Sequence, residues 1–310
     1  KIGEHCTILN EGDSIYYDSS TPHGMIATGG KDCTFCAVIL PGEKTGYDES
    51  EVAGTLSPDK LTEPLAVEDF VKVQVDQQGV PVKVDFQNEE NYNFAYDTVD
   101  RIADAHPDKR AMIYIGDDFK SKIITYGDLK KNSNRCANYF TSIGIKKGDH
   151  VMLILKRHWQ FWYAILGLNK IGAVAIPATN QLKEHDLSFR FAKGNVSGIV
   201  CTADGDLADQ VDSALEKYDG MKAKVIVGGQ REGWRSFNDD YEMYSTHYER
   251  REDTPKGNDI MLMMFTSGTS GYPKLVKHTY KYALGHYIAA RYWHGVDPDG
   301  VHFTISETGW

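Results

Sequence analysis

No run of eighteen apolar residues occurs anywhere in this 310-residue sequence, so no stretch of it reads as a membrane-spanning helix. It lacks an initial Met, and its opening Lys1-Ile-Gly-Glu4 has no signal-peptide pattern, so Lys1 is expected not to be the native start. Cysteine is scarce and odd in number, five in all, which argues against a disulfide framework and for a reducing compartment, the cytoplasm by default. Basic residues are outnumbered, 34 against 44 acidic, for a net charge of −10. That balance argues against nucleic-acid binding by this portion, although an upstream DNA-binding segment stays open. What is present is ordinary for a globular protein of about two domains, with 41% apolar and 25% charged residues. An anionic ligand would need a local positive pocket, and Lys274 with Lys277 and His278 is one source of it.

Three regions differ in pattern. Residues 1–45 look like antiparallel β, with turn residues at Gly12-Asp13, Pro22-His23-Gly24 and Gly29-Gly30. Cys33 and Cys36 fall on a strand, where positions three apart face opposite ways, so the pair reads as core packing. Residues 46–91 are a polar, turn-rich linker with a possible hairpin. There Val71, Val73 and Val75 alternate with polar residues before Gly79, and Val80 to Phe86 resumes the alternation.

From residue 92 to 310 helix and strand alternate. A helix is predicted from Asn91 to His106, stopped by Pro107, followed by short strands at Ala111–Ile115 and Ile123–Tyr126. Thr125 is placed to cap a helix with Leu129, Cys136, Ala137, Phe140 and Ile143 on its inner face. Apolar strands are predicted at 151–155, 173–176, 198–201, 224–227 and 260–265, and a last one at 301–305. Helices are expected at 159–171, 183–192, 206–218 and from about Thr279 to Trp293, with Asp149 and Asp186 as turn and cap residues. His278 and His286 read as helix-surface residues. Continuous apolar strands separated by helices give an α/β fold, a mainly parallel sheet with helices on both faces.

The chemistry concentrates after the strand at 260–265, in Thr266-Ser-Gly-Thr-Ser-Gly-Tyr-Pro-Lys274. Gly268 and Gly271 let backbone amides approach an oxyanion. Thr266, Ser267, Thr269 and Ser270 add hydroxyl donors, and Lys274 adds a mobile charge. That set suits a polyphosphate. The spacing is neither G-x-x-x-x-G-K-[ST] nor G-x-G-x-x-G.

The stretch resembles the phosphate loop of the adenylate-forming (AMP-binding) superfamily, T-S-G-T-[ST]-G-x-P-K, at every fixed position. Asn91–Phe94, Gly148–Val151, Ile171–Val174, Pro177–Leu182 and Ser306–Trp310 narrow the resemblance to the N-terminal part of a medium-chain-type acyl-CoA synthetase. Ser306–Trp310 departs from the family's S-D-T-G-W by carrying Glu307 in place of Asp. The resemblance implies ATP, Mg²⁺ and CoA as partners of a carboxylic acid. It implies the β- and γ-phosphates held by Thr266–Lys274, Lys274 in a catalytic role, and Trp310 at the acyl and CoA end of the cleft. The family's adenine, ribose and Mg²⁺ elements and its mobile C-terminal domain belong after Trp310. The chain therefore reads as an internal piece, a truncated synthetase domain over 92–310 that is inactive alone. Gly12-Asp13 to Pro22-His23 resembles the second motif of a cupin barrel, which would make His23 a metal ligand and residues 1–45 the back half of a cupin. The alternative implied is a cupin-based small-molecule sensor with the synthetase part as its effector.

Overall fold

The computed structural model describes residues 65–310, apart from 117, 119, 268–271, 299, 305 and 310. The chain divides into two compact units, Lys1–Gly54 and Thr55–Trp310, and every described residue belongs to the second. The expected antiparallel piece, His23 and the Cys33–Cys36 pair thus lie outside the described residues.

The predicted hairpin is present as β1 (Val71–Val75) and β2 (Pro81–Phe86), paired antiparallel. Asp76 makes its turn, because one carboxylate oxygen accepts the amides of Gln78 and Val80 at 2.9 and 2.8 Å. Phe70 and Val71 at its base pack with Tyr92 and Leu284, so the hairpin leans on a helix from the far end of the chain.

The helix expected at 91–106 begins instead with a π-helical turn, Ala95–Asp100, that runs into α1 (Arg101–Ala105). The cause lies in the Asn91–Phe94 stretch. Buried Asn93 accepts the Ala95 amide at 3.0 Å and donates to the Pro255 carbonyl at 2.8 Å, fixing where the turn can start. β3 (Arg110–Ile115) and β4 (Ser121–Thr125) form a separate antiparallel pair. Thr125 caps α2 (Tyr126–Ser142) in a reciprocal box with Asp128, both bonds 3.1 Å.

The main sheet follows from β5 (His150–Ile154), α3 (Gln160–Ile171), β6 (Val174–Pro177), α4 (Glu184–Gly194), β7 (Val196–Thr202), α5 (Leu207–Leu215) and β8 (Ala223–Val227). A two-residue β9 (Arg235–Ser236) with α6 (Phe237–Asp240) closes one edge; β10 (Ile260–Thr266) and β11 (Lys274–Thr279) close the other, before α7 (Tyr282–Ile288). The strand order is β11-β10-β6-β5-β7-β8-β9, parallel throughout except for β11 against β10. Asp149 and Asp186 take their expected turn and cap positions, accepting the amides of Lys146 and Lys183.

Period-two alternation splits the core between the two faces. Val151, Leu153, Val200 and Val225 pack with α2 and α3 on one side. Met152, Ile154, Ile199, Cys201 and Ile226 pack with α4 and α5 on the other. Each such side chain, fully buried, contributes about 1.5–3 kcal/mol.

Two expectations fail at the carboxyl-terminal end. Lys274–Thr279 is an edge strand rather than a lead-in to a helix, and the helix starts later, at Tyr282. Residues 301–304 form no strand; Val301 and Phe303 are 50% and 74% exposed, and no described strand stands beside them to complete a ladder.

Candidate functional site

In the β10–β11 register Thr266 and Lys274 are direct partners, so the hydroxyl- and glycine-rich loop is the connection of a hairpin. It leaves the carboxyl end of β10, the edge at which open α/β sheets bind ligands. Thr266, Ser267 and Lys274 are exposed at its mouth. Gly268, Thr269, Ser270 and Gly271 lie outside the described residues, as does Trp310.

Alternation along β11 corrects the expected positive pocket. Leu275 packs into the α4 side of the core with its cross-strand partner Phe265. Lys274, Val276 and His278 therefore share the opposite face, and Lys277 points away from Lys274. His278 lies on this strand, not on a helix. Its ring stands 4.1 Å from Tyr282, which in turn stands 4.2 Å from His286 on α7. Burial and the neighbouring His286 push the His278 imidazole below the ordinary histidine range, so it is a neutral stacking group near neutral pH.

On the other face α4 supplies two residues that sequence reasoning missed. Phe189 stacks on Tyr272 of the loop, centroids 5.3 Å apart and planes at 28°. The Arg190 guanidinium lies over the Phe265 ring at 4.5 Å, and its Nε is buried without a hydrogen-bond partner among the described residues. Burial lowers the pKa of Arg190. The carboxyl end of β10 thus has a cation on each face, Lys274 and Arg190. No local pattern announces Arg190; only the packing of α4 beneath β10 brings it there.

Three further chain segments meet at the same edge of the sheet. Strand order reverses at β5, with β6 on one side and β7 on the other, which makes a crevice between the ends of β5 and β7. Lys156 Nζ pairs with Asp204 at 3.1 Å across it, and His158 Nε2 lies 2.8 Å from Thr202 Oγ1 and 3.5 Å from Asp204. Burial alone would raise the Asp204 carboxyl, but Lys156 and His158 hold it below the usual carboxylate range. Lys156 is one of three described residues other than glycine with left-handed backbone, φ 48°. Its carbonyl accepts the Thr308 hydroxyl at 2.6 Å and the Thr308 amide at 3.4 Å. A side chain at Gly309 would collide with the Ala178 carbonyl, so only glycine allows the segment this close to the end of β6. Beside them Glu307 keeps one carboxylate oxygen, Oε1, buried without a partner among the described residues.

No group of three His, Cys, Asp or Glu among the described residues is arranged to hold a metal ion. No helix among them is long and apolar enough to cross a membrane.

Comparison with known proteins agrees with this geometry. The sequence model of the family described as AMP-binding enzyme matches residues 99–310. Human mitochondrial acyl-coenzyme A synthetase ACSM3 is 31% identical over 229 residues, covering 71% of this chain and 38% of that protein. Human mitochondrial ACSM1 is 32% identical over 243 residues, covering 75% and 41%. The chain thus spans about two fifths of the length of these curated relatives. Among solved structures, the anthranilate CoA ligase AuaEII in complex with anthranoyl-AMP superposes with a TM-score of 0.58 at 22% identity, over 66% of this chain and 37% of that one. That likeness bears on the fold. On the match over residues 99–310, the chain belongs to the AMP-binding enzyme family, the adenylate-forming superfamily, with medium-chain-type acyl-CoA synthetases among its relatives.

Proposed function

We propose that the protein containing this chain activates a carboxylic acid with ATP and passes the acyl group to CoA. An acid oxygen attacks the α-phosphorus and pyrophosphate departs, leaving an acyl-adenylate. The CoA thiol then attacks the acyl carbonyl, loses its proton, and AMP leaves. The observation that carries this reading is the Thr266–Lys274 sequence closing a hairpin at the carboxyl end of β10, its first and last residues register partners.

In this reading Thr266, Ser267, Gly268, Thr269, Ser270 and Gly271 cradle the β- and γ-phosphates, and Lys274 stabilises the charge that builds on pyrophosphate. The exposed Thr266 and Ser267 hydroxyls and the Lys274 ammonium at the loop mouth suit that ligand. Mg²⁺ is expected to arrive with the phosphates, since such ions are held largely by phosphate oxygens and one or two carboxylates. Trp310, which follows Gly309 in the sequence, would border the acyl and CoA end of the cleft. The free, buried Cys136 and Cys201 suit a reducing compartment, the cytoplasm in the simplest case.

The test is ATP–pyrophosphate exchange by the intact protein over a panel of short to medium-chain aliphatic and aromatic acids. Exchange dependent on one of these acids supports the reading. Background exchange with every acid, from a folded protein that binds ATP, would overturn it.

A further inference from the structure

The Lys156–Thr308 contact joins two parts of the chain with no local reason to meet. Lys156 adopts φ 48°, a conformation that costs most L residues about 1 kcal/mol or more and persists only where surroundings hold it. Here the holding is visible. Lys156 Nζ is tied to Asp204 at 3.1 Å, and the Asp204 amide donates to Thr202 Oγ1 at 3.1 Å. His158 reaches both Thr202 and Asp204, at 2.8 and 3.5 Å. The loop after β5 is therefore latched to the loop after β7, across the point where strand order reverses. The left-handed turn directs the Lys156 carbonyl at Thr308, which donates to it through both hydroxyl and amide, at 2.6 and 3.4 Å. The next residue, Gly309, lies against the Ala178 carbonyl too closely for any side chain. The segment from 306 to 309 is thus seated at two points, on the ends of β5 and β6, immediately before Trp310.

We propose that Lys156 is a positioning residue: its latched, left-handed backbone presents the carbonyl that seats Thr308 and so fixes the 306–309 segment against the ends of β5 and β6, where it would border the bound acid. This rests on the acyl-activating reading for its functional half only. The seat itself is a structural claim with its own readout.

Hydrogen exchange on the intact protein reads the seat directly, at the amides of residues 306–309. Thr308→Val keeps the shape and removes the hydroxyl donor, and should speed exchange there by roughly fivefold, the equivalent of one hydrogen bond. Thr308→Ser keeps the donor and should restore slow exchange. Lys156→Gly keeps access to φ 48° but drops the ammonium, and Asp204→Asn removes the opposite charge of the latch. Each should speed exchange at 306–309 with little change elsewhere. In acid-dependent pyrophosphate exchange, Thr308→Val should raise the apparent constant for the acid by roughly three- to tenfold, with the saturating rate much less affected. Wild-type exchange at 306–309 in folded Thr308→Val would overturn the seat. Wild-type exchange in both Lys156→Gly and Asp204→Asn would overturn the latch. Faster exchange with an unchanged constant for the acid would overturn the link to acid binding. Were no acid active at all, the acyl-activating reading would fail while the amide measurement still judged the seat.

Discussion

Lys170 Nζ lies 2.8 Å from each carboxylate oxygen of Asp100 and 2.7 Å from Asn134 Oδ1, inside the core between α3 and the π-helical turn. The lysine side chain is wholly buried and that of Asp100 nearly so. Burial pushes the Asp100 carboxyl up and the Lys170 ammonium down, while their mutual attraction opposes both shifts. All three ammonium protons have acceptors, which makes a buried lysine tolerable here. Breaking the pair from one side leaves a buried charge without its counterion. Lys170→Met and Asp100→Leu should each cost about 3–5 kcal/mol, and the two together less than the sum. Urea unfolding of the three variants checks this; a single substitution costing under about 1 kcal/mol would contradict the account.

Asp212 on α5 gathers the loop between β8 and β9. It accepts from Lys224 at 2.9 Å, from Arg231 Nε at 2.8 Å and from Trp234 Nε1 at 3.1 Å. Burial alone would raise its carboxyl, but these three donors overcome that and hold it below the ordinary value. A carboxyl depressed in the folded state adds stability above the unfolded value of about 3.9 and loses it as pH falls through the folded value. Asp212→Asn should therefore cost about 1–2 kcal/mol at neutral pH, discounted for partial exposure. It should also flatten the loss of stability below about pH 4. Parallel acid limbs for the two proteins would show that the donors do not act through this carboxylate.

Gly167 on α3 lets that helix lie hard against α2, because a Cβ there would stand 2.6 Å from Cys136 Cβ and 3.0 Å from the Ala137 amide. Gly167→Ala would gain about 1 kcal/mol of helix propensity. It should lose about 1–3 kcal/mol to overpacking, for a net drop in melting temperature. A raised melting temperature would mean the two helices part at little cost.

Much of this fold is legible in the sequence because its central strands are buried on both faces. Val151–Leu155, Gly198–Cys201 and Lys224–Val227 read as strands from apolar continuity, and the Thr125 cap from its place just ahead of a helical apolar face. The edge strand Lys274–Thr279 was not legible. It carries two lysines and a histidine, as edge strands do, and its pairing depends on the hairpin closing. Nor was the expected strand after Val301 correct, since alternation without a neighbouring ladder is only alternation. At the site the phosphate-loop signature is contiguous and therefore visible. Arg190 reaches Phe265 at the end of β10 only through the packing of α4, and Thr308 meets Lys156 only through the order of strands in the sheet.

Lys274 begins β11 opposite Thr266 and is exposed at the loop mouth. An exposed ammonium is strongly hydrated, so it should contribute most where charge concentrates, on departing pyrophosphate. In the intact protein Lys274→Ala should lower the acid-dependent exchange rate at saturating ATP more than it raises the apparent ATP constant. Losing one charge-assisted contact in the transition state should cost roughly 1.5–3 kcal/mol, about ten- to a hundredfold in rate. Pro273 fixes the backbone just before it, so Lys274→Arg should recover part of the rate only if the broader guanidinium fits between the loop and the β11 face shared with Val276 and His278. Circular dichroism on both variants establishes that they are folded. A folded Lys274→Ala protein within twofold of the wild-type rate would remove the lysine from catalysis and leave the loop's amides and hydroxyls, with Arg190 on the opposite face, as the phosphate site.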